Sequence, residues 1–274
     1  MEISIRGHKC VYDLVGEGPT LTLLHSVGLS TRAGWRYQID ALARHFRVLS
    51  FDFRGLGQSE RGSEPLGVAT FVRDLEALLQ ALGISRTALM GISLGGFVAQ
   101  SFALDHPDLV SALVLVSTSS QSNSPQGNAK RRERNERIRT HGMAVAADVQ
   151  VDSHFSKDFA AANPDIMAWY KNHYLSNDPD SYIPILEDLC YFDTSARLGA
   201  IRCPTLVVAG DADDTTVAGR GPLDSASRLH QLIPGAEFAV VSGAKHYPQI
   251  DSVDTFNARI IAFLKGALVK ESAA

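Results

Sequence analysis

Cysteine is scarce. Cys10, Cys190 and Cys203 are scattered through 274 residues, odd in number and without the paired spacing of a metal site. That argues against a disulfide framework and fits reduced thiols in a cytoplasmic compartment. No apolar run reaches membrane-spanning length, and the opening Met1-Glu2-Ile3-Ser4-Ile5-Arg6 does not read as a secretory leader. An excess of positive charge is also missing. The net charge is −4, which gives no reason to expect nucleic acid. There is no internal repeat and no low-complexity tract. What remains is ordinary globular composition, 45% hydrophobic and 20% charged. The length suits one large α/β domain, or a domain carrying an inserted subdomain, with a substantial core.

Apolar runs and turn residues alternate along most of the chain. Residues 3–6 and 10–15 alternate apolar and polar around Gly7, as an antiparallel edge hairpin does. Strands are expected at 21–25, 47–51, 86–90, 112–117, 204–210 and 236–241. Helices are expected at 35–46, 68–82, 94–105, 222–232 and 253–267, with 269–274 frayed. This predicts a mainly parallel, doubly wound, eight-stranded sheet. The alternation breaks at Thr118-Ser119-Ser120-Gln121-Ser122-Asn123-Ser124-Pro125, and no strand signal follows until 204. Residues 121–195 therefore read as a helical insertion covering the sheet's carboxyl edge, with 1–120 and 196–274 forming the core. The basic run at 130–139 carries Glu133 and Glu136 at helical spacing from arginines, so it reads as a solvated helix face.

The chemistry concentrates at Gly91-Ile92-Ser93-Leu94-Gly95-Gly96, between an expected strand and an expected helix. A Gly-x-Ser-x-Gly turn in that context presents the serine on a strained backbone at a cleft. The amides opening the helix are placed to stabilise an oxyanion. A serine hydroxyl needs a base to become a nucleophile, and a histidine backed by a carboxylate supplies one. His246 follows the last expected strand, whereas His230 falls on a helix. Asp211, Asp213 and Asp214 all follow the strand before it. Asp213 is favoured because it stands clear of the strand end. These loops lie at the carboxyl ends of strands, where open α/β sheets bind ligands.

The oxyanion donors expected are the amides of Leu94 and of Val27, which follows the strand ending at His25. His25 itself reads as a residue that holds this loop. His25, Trp35, Arg132, Arg134 and Tyr247 are the candidate pocket residues. Asp52, Arg54 and Ser59 read as structural, holding the Gly55 and Gly57 turn through an ion pair and side-chain caps.

With these residues in place the chain resembles the α/β-hydrolase superfamily. The resemblance rests on His25-Ser26-Val27-Gly28, Asp52-Phe53-Arg54-Gly55-Leu56-Gly57-Gln58-Ser59, the Ser93 turn, the run from Pro204 through Gly210 to Asp213, and His246. Within it the chain is similar to β-ketoadipate enol-lactone hydrolases, on Ser26, the stretch from Arg137 to Asp148, and Tyr182 to Leu189 ahead of Asp193. That likeness implies opening of a carboxylated unsaturated lactone by an acyl-enzyme route with no cofactor and no metal. Lys245-His246-Tyr247-Pro248-Gln249 is instead similar to general esterases and cofactor-free perhydrolases. Carbon–carbon bond hydrolases of ring-cleavage products share the triad, as do ligand receptors that keep it. The expected partner is a small ester or lactone, with neither nucleic acid nor membrane, and a homo-oligomer is compatible with the composition.

Overall fold

The computed structural model describes residues 1–213 and 221–271. Eight strands form one sheet in the order β1-β2-β4-β3-β5-β6-β7-β8. They are β1 (Glu2–Ile5), β2 (His8–Val15), β3 (Thr20–Leu24), β4 (Arg47–Phe51), β5 (Thr87–Ile92), β6 (Val110–Val116), β7 (Thr205–Gly210) and β8 (Glu237–Val241). β2 runs antiparallel to β1 and β4, and every other pairing is parallel. The central strands β5, β6 and β7 are buried along their whole length. Helices on both faces leave no polar side to such strands, so they read as unbroken apolar runs. β2 and β8 are only partly buried and mix polar with apolar residues.

The helices outside the insertion are α1 (Thr31–Gly34), α2 (Ile39–Ala43), α3 (Val68–Ala81), α4 (Leu94–Asp105), α10 (Pro222–Leu232), α11 (Pro248–Asp251) and α12 (Val253–Glu271). α3 buries Val68, Phe71, Val72, Leu75, Leu78 and Leu79 along one stripe. α4 is apolar nearly all round, because β5 and β6 cover one side and α3 another. α12 runs beyond the expected 267 to Glu271, and 272–274 fall outside the described residues.

The helix expected over 35–46 is not formed as one element. Ser30 caps α1 through Ala33 N–H at 3.3 Å, and Asp52 accepts from Thr31 N–H at 2.8 Å, so the chain turns helical earlier. A break before α2 follows, where the buried Gln38 amide donates to Gln249 O at 2.9 Å and Asn257 Oδ1 at 3.0 Å. The contacts at Gln38 cross more than 200 residues, which no local pattern reports.

Between β6 and β7 stand α5 (Pro125–His141), α6 (Ala144–His154), α7 (Lys157–Ala162), α8 (Pro164–Leu175) and α9 (Pro179–Asp188). They pack chiefly on one another, α6 on α8 and α5 on both α6 and α9. The two ends of the segment are tied together. Gln121 and Asp193 form an antiparallel bridge, Ser122 N–H donates to Phe192 O at 3.0 Å, and Thr194 N–H donates to Ser120 O at 2.8 Å. A segment closed at its base in this way can vary in length without disturbing the sheet.

Candidate active site

Ser93 sits between β5 and α4 with φ 52° and ψ −112°. A non-glycine residue there carries strain of roughly 1–3 kcal/mol, so its neighbours must hold it. Ser93 N–H donates to Val116 O at 3.0 Å, and Ser93 O accepts from Gly96 N–H at 3.0 Å and Thr118 Oγ1 at 3.0 Å. The flanking glycines are required by crowding. A Cβ on Gly91 would overlap the Gly95 carbonyl, and one on Gly95 would overlap the Leu24 carbonyl. The Ser93 side of the turn stays partly open while its flanks are buried.

Asp213 and His246 follow β7 and β8. The two loops are zipped together by Asp211 N–H to Val241 O at 3.3 Å and Ala212 N–H to Ala244 O at 3.0 Å. His246 Nδ1 lies 3.1 Å from Asp213 Oδ2, and the Asp213 side chain is 1% exposed. An Nδ1–H donated to this carboxylate leaves the lone pair on Nε2, the tautomer a general base requires. Asp211 is committed elsewhere: it accepts from Gly243 N–H at 2.6 Å and Ser242 Oγ at 3.1 Å, pinning the turn ahead of His246. Asp214 lies outside the described residues.

The loop after β3 is buried at Val27 and anchored at both sides of it. Ser26 Oγ is 2.7 Å from the Tyr247 hydroxyl, and Asn177 Nδ2 donates to Gly28 O at 3.1 Å. Tyr174 lies against Gly28 so closely that any Cβ would overlap its ring. Leu94 opens α4 directly after Ser93.

Two candidate pocket residues belong to the framework instead. His25 is fully buried; its Nδ1 donates to Ser26 O at 2.7 Å, and its Nε2 accepts from Phe53 N–H at 2.9 Å. Burial also lowers its pKa, which keeps it neutral in this role. Trp35 is buried in the core beside Phe256, with its indole N–H 3.4 Å from Leu24 O. An apolar ring of that size at the α1 terminus is taken up by packing against α12. Arg132 is exposed on the outer side of α5, whereas Arg134 is half-buried. Tyr247 is buried within the tyrosine cluster described next. The turn after β4 is held by Asp52 and Ser59 as caps, and the ion pair is Arg54 with Asp74 at 2.6 Å.

Residues from the helical segment crowd this centre, and no motif announced them. His154 is buried, and its ring stacks on His246 with centroids 4.5 Å apart and planes 24° from parallel. His154 O accepts His246 N–H at 3.2 Å, and His154 Nδ1 is hydrogen-bonded to the Tyr170 hydroxyl. Burial, and then the neighbouring His246 charge, hold the His154 pKa well below its ordinary value, so it is a neutral ring. Tyr170, Tyr174, Tyr182 and Tyr247 are buried together, and burial raises all four phenol pKa values. Asp251 accepts from Lys245 N–H at 2.8 Å; burial raises its pKa to about 6. A weak clue lay in the sequence: aromatic residues recur at helical spacing between 155 and 174, a pattern that equally describes a core helix. No candidate metal cluster occurs among the described residues, and no helix there is long and apolar enough to cross a membrane.

Comparison with known proteins identifies the fold and the family. A protein of Caulobacter sp. (strain K31), provisionally named carbamate hydrolase RutD, is 31% identical over 265 residues, 93% of this chain and 96% of the relative. The enol-lactonase of Burkholderia xenovorans LB400 superposes with a TM-score of 0.88 at 27% identity, covering 97% of this chain and all of that one. A thermophilic esterase of Thermogutta terrifontis, solved with malate bound, has a TM-score of 0.88 at 25% identity, covering 97% of this chain and 99% of the other. The profile of the α/β hydrolase fold matches residues 19–253. The chain is an enzyme of the α/β-hydrolase family.

Proposed function

We propose that this chain is a serine hydrolase that cleaves a small carboxylic ester or lactone through an acyl-enzyme on Ser93. The observation that carries the reading is the strained Ser93 turn combined with the buried Asp213–His246 pair. His246 Nε2 takes the Ser93 proton as the hydroxyl oxygen attacks the carbonyl carbon. Asp213 holds the imidazole in its tautomer and stabilises the imidazolium that forms. The amides of Val27 and Leu94 receive the charge developing on the carbonyl oxygen. His246 then protonates the leaving alkoxide, which in a lactone stays attached to the acyl group. Water deprotonated by the same histidine releases the acid. Residues 121–195 act as a cap that shapes the substrate site and keeps bulk water from it.

The enol-lactonase and esterase likenesses support ester and lactone substrates, and an enol-lactone from aromatic degradation is the preferred one. The test is kcat/KM for β-ketoadipate enol-lactone and a short p-nitrophenyl ester, side by side, with Ser93→Ala as control. Preference for the lactone by about a thousandfold, roughly 4 kcal/mol of transition-state binding, identifies a dedicated lactonase. Similar modest rates on both, abolished in Ser93→Ala, leave an esterase. No Ser93-dependent turnover of either contradicts the reading.

A further inference from the structure

In the proposed reaction His246 and the Val27 amide act on one carbonyl group, yet the sheet does not place them together. β3, which leads to Val27, and β8, which leads to His246, are separated by β5, β6 and β7, so no ladder of hydrogen bonds joins them. The Asp213 and His246 loops differ, because they follow neighbouring strands and bond to each other directly. Contacts other than the strand ladder therefore set the distance between base and oxyanion donor.

The chain after β3 and the chain after β8 meet through side chains. Ser26 Oγ and the Tyr247 hydroxyl lie 2.7 Å apart across 221 positions. Farther along, Gln38 Nε2 donates to Gln249 O at 2.9 Å, and Gln249 Nε2 donates to Gly34 O at 3.3 Å. Of the three bonds, the first joins immediate neighbours of the reacting groups: Ser26 precedes Val27, and Tyr247 follows His246. The Val27 N–H belongs to the peptide that Ser26 opens, so holding Ser26 holds that N–H. Asn177 pins the other side of Val27 through Gly28 O at 3.1 Å.

Ser26 is 3% exposed and Tyr247 0%, and a hydrogen bond between buried groups is strengthened by the low local dielectric. The Tyr247 ring is held by the helical segment. It stacks on Phe155 with centroids 5.8 Å apart and planes 16° from parallel, and it meets Tyr170 at 5.5 Å and His154 at 5.2 Å. Three rings thus aim the phenol at Ser26. Being fully buried, the phenol acts through the loops it joins.

We propose that Tyr247 is a positioning residue: through its hydroxyl bond to Ser26 it fixes the Ser26–Val27 peptide, and with it the Val27 N–H, relative to His246. This rests on the serine hydrolase reading and adds the device that keeps two of its groups in register. An oxyanion donor works only when aimed at the place where charge develops, and a misplacement of about 1 Å costs on the order of 100-fold in rate.

The test is a double-mutant cycle. Tyr247→Phe removes the hydroxyl and keeps the packed ring. Ser26→Ala breaks the same bond from the other side, and its kcat and inhibitor readouts decide alone should the first variant not fold. Both, their combination and Tyr191→Phe, a control at a tyrosine that is 85% exposed, are assayed with p-nitrophenyl butyrate, with Ser93→Ala as blank. Inhibition by a trifluoromethyl ketone, whose carbonyl carbon takes up the Ser93 oxygen and leaves an oxyanion, is compared with inhibition by the matching methyl ketone. Each single variant is expected to lower kcat about tenfold or more with KM within about twofold, and the double variant to lose no more than about threefold beyond the worse single. The Ki of the trifluoromethyl ketone rises in parallel and that of the methyl ketone does not. Tyr191→Phe matches wild type. A kcat within about threefold of wild type in the single variants, losses carried by KM, losses that multiply in the double variant, or equal weakening of both ketones overturn the role, while Ser93-dependent turnover keeps the hydrolase. Absence of Ser93-dependent turnover in the wild type overturns the hydrolase reading and this role with it.

Discussion

The sheet side of the site and the helical side are built on opposite principles. On the sheet side, short-range geometry does the positioning: a glycine-flanked turn fixes Ser93, and paired loops after adjacent strands bring Asp213 to His246. On the helical side, side chains far apart in sequence meet by packing. His154 covers His246, Tyr174 presses on Gly28, and Asn177 holds the Gly28 carbonyl. The first arrangement is written in motifs, and the second only in tertiary contacts. Under the proposed mechanism the difference separates two jobs: reactive atoms need a rigid support, while the groups above them can diverge and so set the substrate.

The comparison is broken most severely at the sheet side. Ser93→Ala is expected to lower kcat by about 10⁴-fold or more with folding intact, measured with any ester the wild type accepts and checked by circular dichroism. On the helical side the loss is smaller. His154→Leu keeps the volume and removes the stacked ring and the Tyr170 bond. It is expected to reduce kcat about 10–100-fold with KM nearly constant, while His154→Phe, which restores a ring, recovers most of it. A wild-type kcat in His154→Leu would mean that the helical segment only encloses the site. Asn177→Ala removes one bond to the loop that carries Val27 and is expected to cost roughly three- to tenfold in kcat, with Tm lowered by a few degrees.

The smallest expected effect concerns stability, not rate. Burial raises the folded-state pKa of Asp251 from the ordinary 3.8 to about 6, with the Asp213 charge adding to it and the bond from Lys245 N–H opposing it. The folded protein therefore holds more protons than the unfolded chain between those values, and stability falls as pH rises through that window, by up to about 3 kcal/mol. Asp251→Asn keeps a carbonyl for Lys245 N–H and removes the titration. Its Tm is expected to vary less across pH 4–6.5 and to exceed that of wild type at pH 7. Parallel Tm–pH curves for the two proteins would contradict this.

Most of the sheet was legible because its strands are continuous apolar runs separated by turn residues. The strands at 47–51, 86–90 and 112–117 illustrate this, whereas the edge hairpin was legible from its alternation and the helices at 94–105 and 222–232 from apolar residues at helical spacing. The expected helix at 35–46 failed because Gln38 bonds to residues near the far end of the chain. His25 holds the loop after β3, as its place at a strand end suggested, while Trp35, also named for the pocket, packs in the core, because burial in the core and burial beside a ligand look alike in sequence. The run at 130–139 resembled a solvated face, and Arg132 is indeed exposed. Arg131 and Arg134 share the other side of the same helix, which charge counting alone does not separate. His154 gave no signal at all: its partner His246 is 92 positions away and belongs to another element.

The most direct test of the Ser93 mechanism is a rapid-quench experiment with a p-nitrophenyl ester, followed by mass spectrometry of the digested protein. The expected result is a burst of about one p-nitrophenolate per chain, with the acyl mass on the peptide containing Ser93 and no adduct in Ser93→Ala. Turnover with no burst and no adduct under conditions where deacylation is slowed, or an adduct on another residue, would contradict an acyl-enzyme at Ser93.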